Sequence, residues 1–149
     1  MNAEHVKTVK KGAWAIREFR RLNPSVVLSL DGADFRSVNL HGANLSGADL
    51  RGANLSNTDL ISADMRETNF SGSNLRSAML RYADCRFANF SGTDCWNADF
   101  SDANFSGADL RGANLRGVFI RGAEFDGAHV KGAFISKKKL MGFALADTL

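Results

Sequence analysis

The stretch ANLSGADLRGANLS, residues 43–56, repeats itself every five residues: Ala43, Ala48 and Ala53 are each followed by Asn or Asp and then by Leu45, Leu50 or Leu55. The same period runs from Asp31 to Ile135 with no insertion or deletion, which makes twenty-one pentads. We take as pentad centres the residues from Phe35, Leu40 and Leu45 through to Val130 and Ile135; all twenty-one are apolar. Two places before each centre the residue is small or β-branched: fifteen Ala, three Thr, Ser73, Val38 and Val118. Between these two, sixteen of the twenty-one positions are Asp or Asn.

A period of five is neither the 3.6 of a helix nor the 2 of a long strand, so the chain must turn once per pentad. The small residue and the centre lie two apart and point the same way in an extended segment, while the Asp or Asn between them points outward. The two residues after each centre form the turn, and Gly at the second supplies the positive φ of a type II turn. Gly32, Gly52, Gly72, Gly92, Gly112 and Gly132 recur at twenty-residue spacing, which suggests four sides to each circuit. Tyr82 and Phe87 stand where Gly is common, and their bulk predicts a different turn geometry at those two corners.

The pattern A-[DN]-[LF]-x-G, as in Ala43-Asn44-Leu45-Ser46-Gly47, resembles the pentapeptide-repeat family over about 105 residues. That resemblance implies an all-β solenoid, a right-handed quadrilateral β-helix with four pentads per coil. Residues twenty apart would then stack, and about five coils at roughly 4.8 Å would give a rod on the order of 25 Å long.

Three segments follow. Residues 1–30 are read as an amino-terminal capping helix and connector, 31–135 as the repeat of twenty-one pentads, and 136–149 as a short helical carboxy-terminal cap. Val6, Val9, Ala13, Ile16 and Phe19 mark one face of an amphipathic helix that ends before Pro24. A lid of this kind would block end-to-end association of an open coil. Gly12, Arg20, Asn23 and Pro24 also resemble the leader that precedes many bacterial, notably cyanobacterial, pentapeptide arrays. No apolar run is long enough for a membrane helix or a secretory signal, so a cytoplasmic protein with reduced thiols is expected.

Both cysteines, Cys85 and Cys95, fall at pentad centres and therefore point inward. Two pentads apart in a four-sided coil means opposite walls, beyond the roughly 7 Å Cα separation that a disulfide allows. With Phe90 and Phe100 on the other two walls, two large and two small side chains fill one layer. His5, His41 and His129 lie apart without metal-ligand spacing, and no nucleophile elbow, phosphate loop or dinucleotide fingerprint occurs. The reading is a non-enzyme without metal or cofactor.

The net charge of +3 divides into +4 over residues 1–30, −3 over 31–135 and +2 over 136–149, so the basic excess sits at the ends. No face is acidic enough to favour the DNA mimicry by which some family members bind gyrase-type topoisomerases, and nucleic-acid binding through the basic ends ranks lower still. The breaks in the pattern point elsewhere. Met79, Phe119 and Phe134 replace outward Asp or Asn, and the carboxy-terminal segment is expected to cover the two phenylalanines. Arg76, Met79, Arg81, Trp96, Arg116, Phe119 and Arg121 fall on adjacent columns and have the composition of a protein-binding patch, with Tyr82 and Phe87 as a weaker one. The plainer alternative places Trp96 between the guanidinium planes of Arg76 and Arg116. The expected function is a scaffold that binds another protein, as a monomer or as a dimer through its carboxy-terminal end.

Overall fold

In the computed structural model, which describes residues 1–136, each of the twenty-one pentads closes on a hydrogen-bonded turn. The N–H of the small residue donates to the carbonyl of the preceding centre, as in Ala43 to Leu40 at 2.9 Å and Ala98 to Cys95 at 3.0 Å. The second turn residue has positive φ throughout: twelve glycines and, in addition, Ser37, Asn57, Ser62, Glu67, Ser77, Tyr82, Phe87, Asn97 and Asp102. The different geometry expected at Tyr82 and Phe87 is therefore not found; both have φ of 59°. A left-handed L-residue costs roughly 1–2 kcal/mol. Here the stacked neighbour overrides that local preference, because the Tyr82 and Phe87 N–H groups donate to the carbonyls of Ser101 and Ser106. Gly107 makes room for the Phe87 ring: a β-carbon there would meet it at 2.5 Å.

Parallel bridges join residues twenty apart, from Ser29 with Asp49 through Met79 with Asp99 to Asn114 with Phe134. The chain thus turns every five residues and comes back into register after four turns. The first bridge lies in the segment read as connector, where Leu28 and Leu30 are already fully buried. Leu28 hides the pattern there because the position usually holds Ala.

The outward Asp and Asn have a structural task. In all sixteen, the side-chain Oδ1 accepts the N–H of the first turn residue two places on, from Asp34 with Arg36 at 3.1 Å to Asn114 with Arg116 at 3.3 Å. The ladder does not supply that N–H with an acceptor, so the side chain does. Asn89→Ala should therefore cost about 1 kcal/mol in chemical denaturation while Asn89→Asp stays near zero. Equal losses in the two variants would contradict this.

Inside, the centres and small residues form one continuous core. Phe70 stacks on Phe90 at 4.8 Å between ring centroids, and Phe105 on Phe125 at 5.4 Å. Cys85 and Cys95 are fully buried and unbridged, as their phase requires. Burial pushes the Cys95 thiol up to about 12 and that of Cys85 well above its ordinary value. Neither thiol should react with an aromatic disulfide reagent at pH 8 in the folded protein, and both should react after denaturation; a fast native phase would contradict the placement.

The single amino-terminal helix expected from the sequence is two: α1, Ala3–Lys10, and α2, Ala13–Leu22. Gly12 breaks them with φ of 87°, a conformation outside any helix, and its N–H closes α1 on the Val9 carbonyl. The apolar face is nonetheless the expected one. Val9 and Ile16 are fully buried in the same core as Leu28 and Leu30, with Val6, Ala13 and Phe19 packed against it. Polar contacts tie the helices to the first circuit: the Asn2 N–H donates to the Ser29 carbonyl, the Ser29 N–H to His5 Nδ1, and Arg20 to the Ser46 carbonyl at 2.6 Å. No helix among the described residues is long and apolar enough to cross a membrane. The expected carboxy-terminal cap lies outside the described residues.

Candidate protein-interaction face

All nine arginines of the repeat stand at the first turn position. Five follow an outward Asp by two residues, a spacing that lets the guanidinium fold back on its own pentad. Arg36, Arg51, Arg66, Arg86 and Arg111 each place Nε and Nη2 on the two oxygens of Asp34, Asp49, Asp64, Asp84 and Asp109, at 2.6–2.9 Å. Such bidentate pairs are geometrically specific but, being exposed, add little stability. They hold the carboxyl groups below the usual range, that of Asp34 at about 2.

The other four are Arg76, Arg81, Arg116 and Arg121, which follow Asn74, Met79, Asn114 and Phe119. These are the four arginines singled out by the sequence. Arg76 stacks on Trp96 with its guanidinium carbon 4.6 Å from the ring centroid and pairs with Asp94 at 3.0 Å. Arg116 does not complete the expected sandwich; it lies over Phe134 at 5.3 Å, because Phe134 offers it a ring on the adjacent face. Arg81 lies over Tyr82 at 5.3 Å and donates to its hydroxyl, while its buried Nε has no acceptor among the described residues. Among the described residues Arg81, Arg116 and Arg121 have no ion pair.

The predicted patch divides into two parts. Trp96 is engaged at its corner with Arg76 and Asp94 and is 39% exposed. Across the wall, Arg81, Asp99, Ser101, Phe119, Ile120 and Arg121 line a shallow depression of about 450 Å³. Met79 flanks this depression without lining it and stacks on Asp99, which separates it from Phe119. Phe119 and Phe134 are 59% and 54% exposed, and the carboxy-terminal segment expected to cover them lies outside the described residues. Tyr82 is exposed beside Arg81 at the corner of this wall, and Phe87 is exposed at the next corner, where it lies against Gly107. Ser101 and Ile120 were missed: Ser recurs at the first turn position and draws no notice there, and Ile120 sits at a centre that reads as interior.

The family model described as Pentapeptide repeats matches residues 29–66, 53–84, 80–117 and 103–137, in eight copies. The chain belongs to the pentapeptide-repeat family. Among solved structures, the pentapeptide-repeat protein Rfr23 from the cyanobacterium Cyanothece is 26% identical with a TM-score of 0.45, over 81% of this chain and 95% of that one. QnrB1, a plasmid-mediated fluoroquinolone resistance protein, is 23% identical with a TM-score of 0.42, over 70% of this chain and 59% of its own. HetL, a pentapeptide-repeat protein of heterocyst differentiation regulation from the cyanobacterium Nostoc, is 31% identical with a TM-score of 0.34, over 73% of this chain and 58% of its own. The chain thus spans less than two thirds of the QnrB1 and HetL chains. No curated protein matches it. Within the pentapeptide-repeat pattern, Met79 and Phe119 are departures that also remove a turn acceptor, since neither can accept the N–H of Arg81 or Arg121.

Proposed function

We propose that this protein is a non-enzymatic scaffold that binds another polypeptide. Its form is a right-handed quadrilateral β-helix of about five coils, closed at its amino-terminal end by α1 and α2. The binding surface is the wall carrying Met79, Asp99 and Phe119 with its corners at Arg76, Trp96, Arg116 and Arg81, Arg121. One observation carries this reading. The four repeat arginines that lack an Asp two residues earlier all stand at the corners of this one wall, beside Met79 and Phe119, which themselves replace outward Asp or Asn. Side chains that would close the surface on itself are missing where apolar ones are exposed, the composition of an interface core with an arginine rim.

The acidic DNA mimic is less well supported. Six of the eight outward aspartates carry an arginine, which leaves little free negative charge. A supercoiling assay should show neither inhibition nor protection of gyrase. The scaffold reading is tested by affinity capture from native lysate: Met79→Ser and Phe119→Ser should each lose the partner while keeping the wild-type unfolding midpoint. Capture that survives both changes but fails with Phe87→Ser would move the site to the Tyr82–Phe87 corners. Trp96→Ala separates the two parts of the patch, since lost stability with intact capture is the outcome its stacking on Arg76 favours.

A further inference from the structure

The geometry points to the chemistry of the partner: an acidic, extended polypeptide segment that lies along the stacking direction over the depression between Arg81 and Arg121. This inference rests on the scaffold reading and adds to it the charge and spacing of what binds. Five of the nine repeat arginines at this turn position are satisfied by the Asp two residues before them, and Arg76 by Asp94 of the next circuit. At Arg81 and Arg121 the same position precedes a wall residue, Met79 or Phe119, that has no carboxylate. The guanidinium groups are present without the partner the repeat normally supplies, and the buried Nε of Arg81 is a donor with no acceptor among the described residues.

The spacing of these groups limits what can satisfy them. Arg81 and Arg121 are separated by one intervening residue of their column, Ser101, and so by roughly 10 Å along the stack. A chain in the extended polyproline II conformation has three residues per turn and rises by about 9 Å over them, so carboxylates at every third residue lie on one side and would reach both corners in turn. Between them Phe119 and Ile120 offer apolar surface to an intervening side chain. Arg116, over the Phe134 ring and without an ion pair among the described residues, adds a third cation on the opposite edge of the wall. Asp99 is the one carboxylate among the described residues lining the depression, and its Oδ1 accepts the Ser101 N–H at 2.9 Å. It opposes an acidic ligand, and its removal supplies a test with the opposite sign from removal of an arginine.

The probe is a short fluorescein-labelled peptide in which glutamate recurs at every third residue with phenylalanine between, followed by fluorescence anisotropy on the full chain. Arg81→Gln with Arg121→Gln should weaken binding by roughly tenfold or more, and added salt should weaken it further. Asp99→Asn keeps the turn acceptor and should strengthen binding by roughly two- to fivefold. Arg51→Gln with Arg111→Gln, which removes two paired arginines, should change it much less. Equal losses in the two arginine doubles would reduce the effect to net charge and overturn the proposal, as would tighter binding of a single-stranded oligonucleotide at equal charge. If partner capture falls with Phe119→Ser but neither the peptide nor the captured partner responds to Arg81→Gln with Arg121→Gln, the scaffold reading stands and the acidic segment does not.

Discussion

Phe105→Ala is expected to destabilise the protein by about 3–5 kcal/mol. The ring is fully buried, and its centroid lies 4.4 Å from that of Phe100, 5.2 Å from Phe90 and 5.4 Å from Phe125. It therefore packs within its own circuit and against the circuits on both sides. In a stack where each circuit contacts only its neighbours, stability is close to a sum of circuit and interface contributions. Truncating Phe105 weakens one circuit and two interfaces together, and its rigid backbone ladder cannot close over the space left. Urea unfolding monitored by circular dichroism measures the loss directly. A loss below about 1 kcal/mol would mean that the interior is not packed around this ring, because even a single exposed-to-buried methylene approaches that figure.

Ile16→Asp is expected to make the protein associate more strongly with rising concentration than the wild type does. Ile16 and Val9 are the fully buried side chains that α2 and α1 place on the core at the end where Leu28 and Leu30 begin the ladder. Losing a buried isoleucine costs roughly 2–5 kcal/mol before any charge is added. A carboxylate at that point must also be solvated, which it achieves most readily by lifting the helices away. The first circuit then presents its apolar centres and an unpaired edge, the arrangement that invites strand-to-strand addition. Sedimentation velocity across a concentration series would detect it. A variant that sediments like the wild type at every concentration, with an unchanged unfolding midpoint, would show that the helices are not what closes that end.

The pentad phase was legible because nothing interrupts it, and the phase alone puts Cys85 and Cys95 inside and Trp96 outside. The stacking of columns was legible from the Gly32 to Gly132 spacing and from the resemblance to the family. Three features were not. Tyr82 and Phe87 were misjudged because their local backbone preference is real but is outweighed by hydrogen bonds to residues nineteen positions away. The break at Gly12 was hidden because the apolar spacing continues across it on the same face. The partner of Arg116 was misjudged because Asn114 and Phe134 belong to a neighbouring column, and a ring on an adjacent wall competes with one stacked directly beneath. By contrast, the Asp-x-Arg spacing was visible throughout. Its meaning emerged only once the bidentate geometry showed which arginines had a carboxylate and which did not.

Every site argued above depends on the chain returning to register after twenty residues. Oxidation of the double variant Ser71→Cys with Ser91→Cys tests this most directly, since both serines are turn residues of one column and the native thiols are buried. An intramolecular disulfide should form rapidly in the folded protein, while Ser71→Cys with Ser106→Cys, which places the thiols on different corners, stays reduced. A disulfide in the second pair, or none in the first, would contradict the stacking on which the interaction face is built.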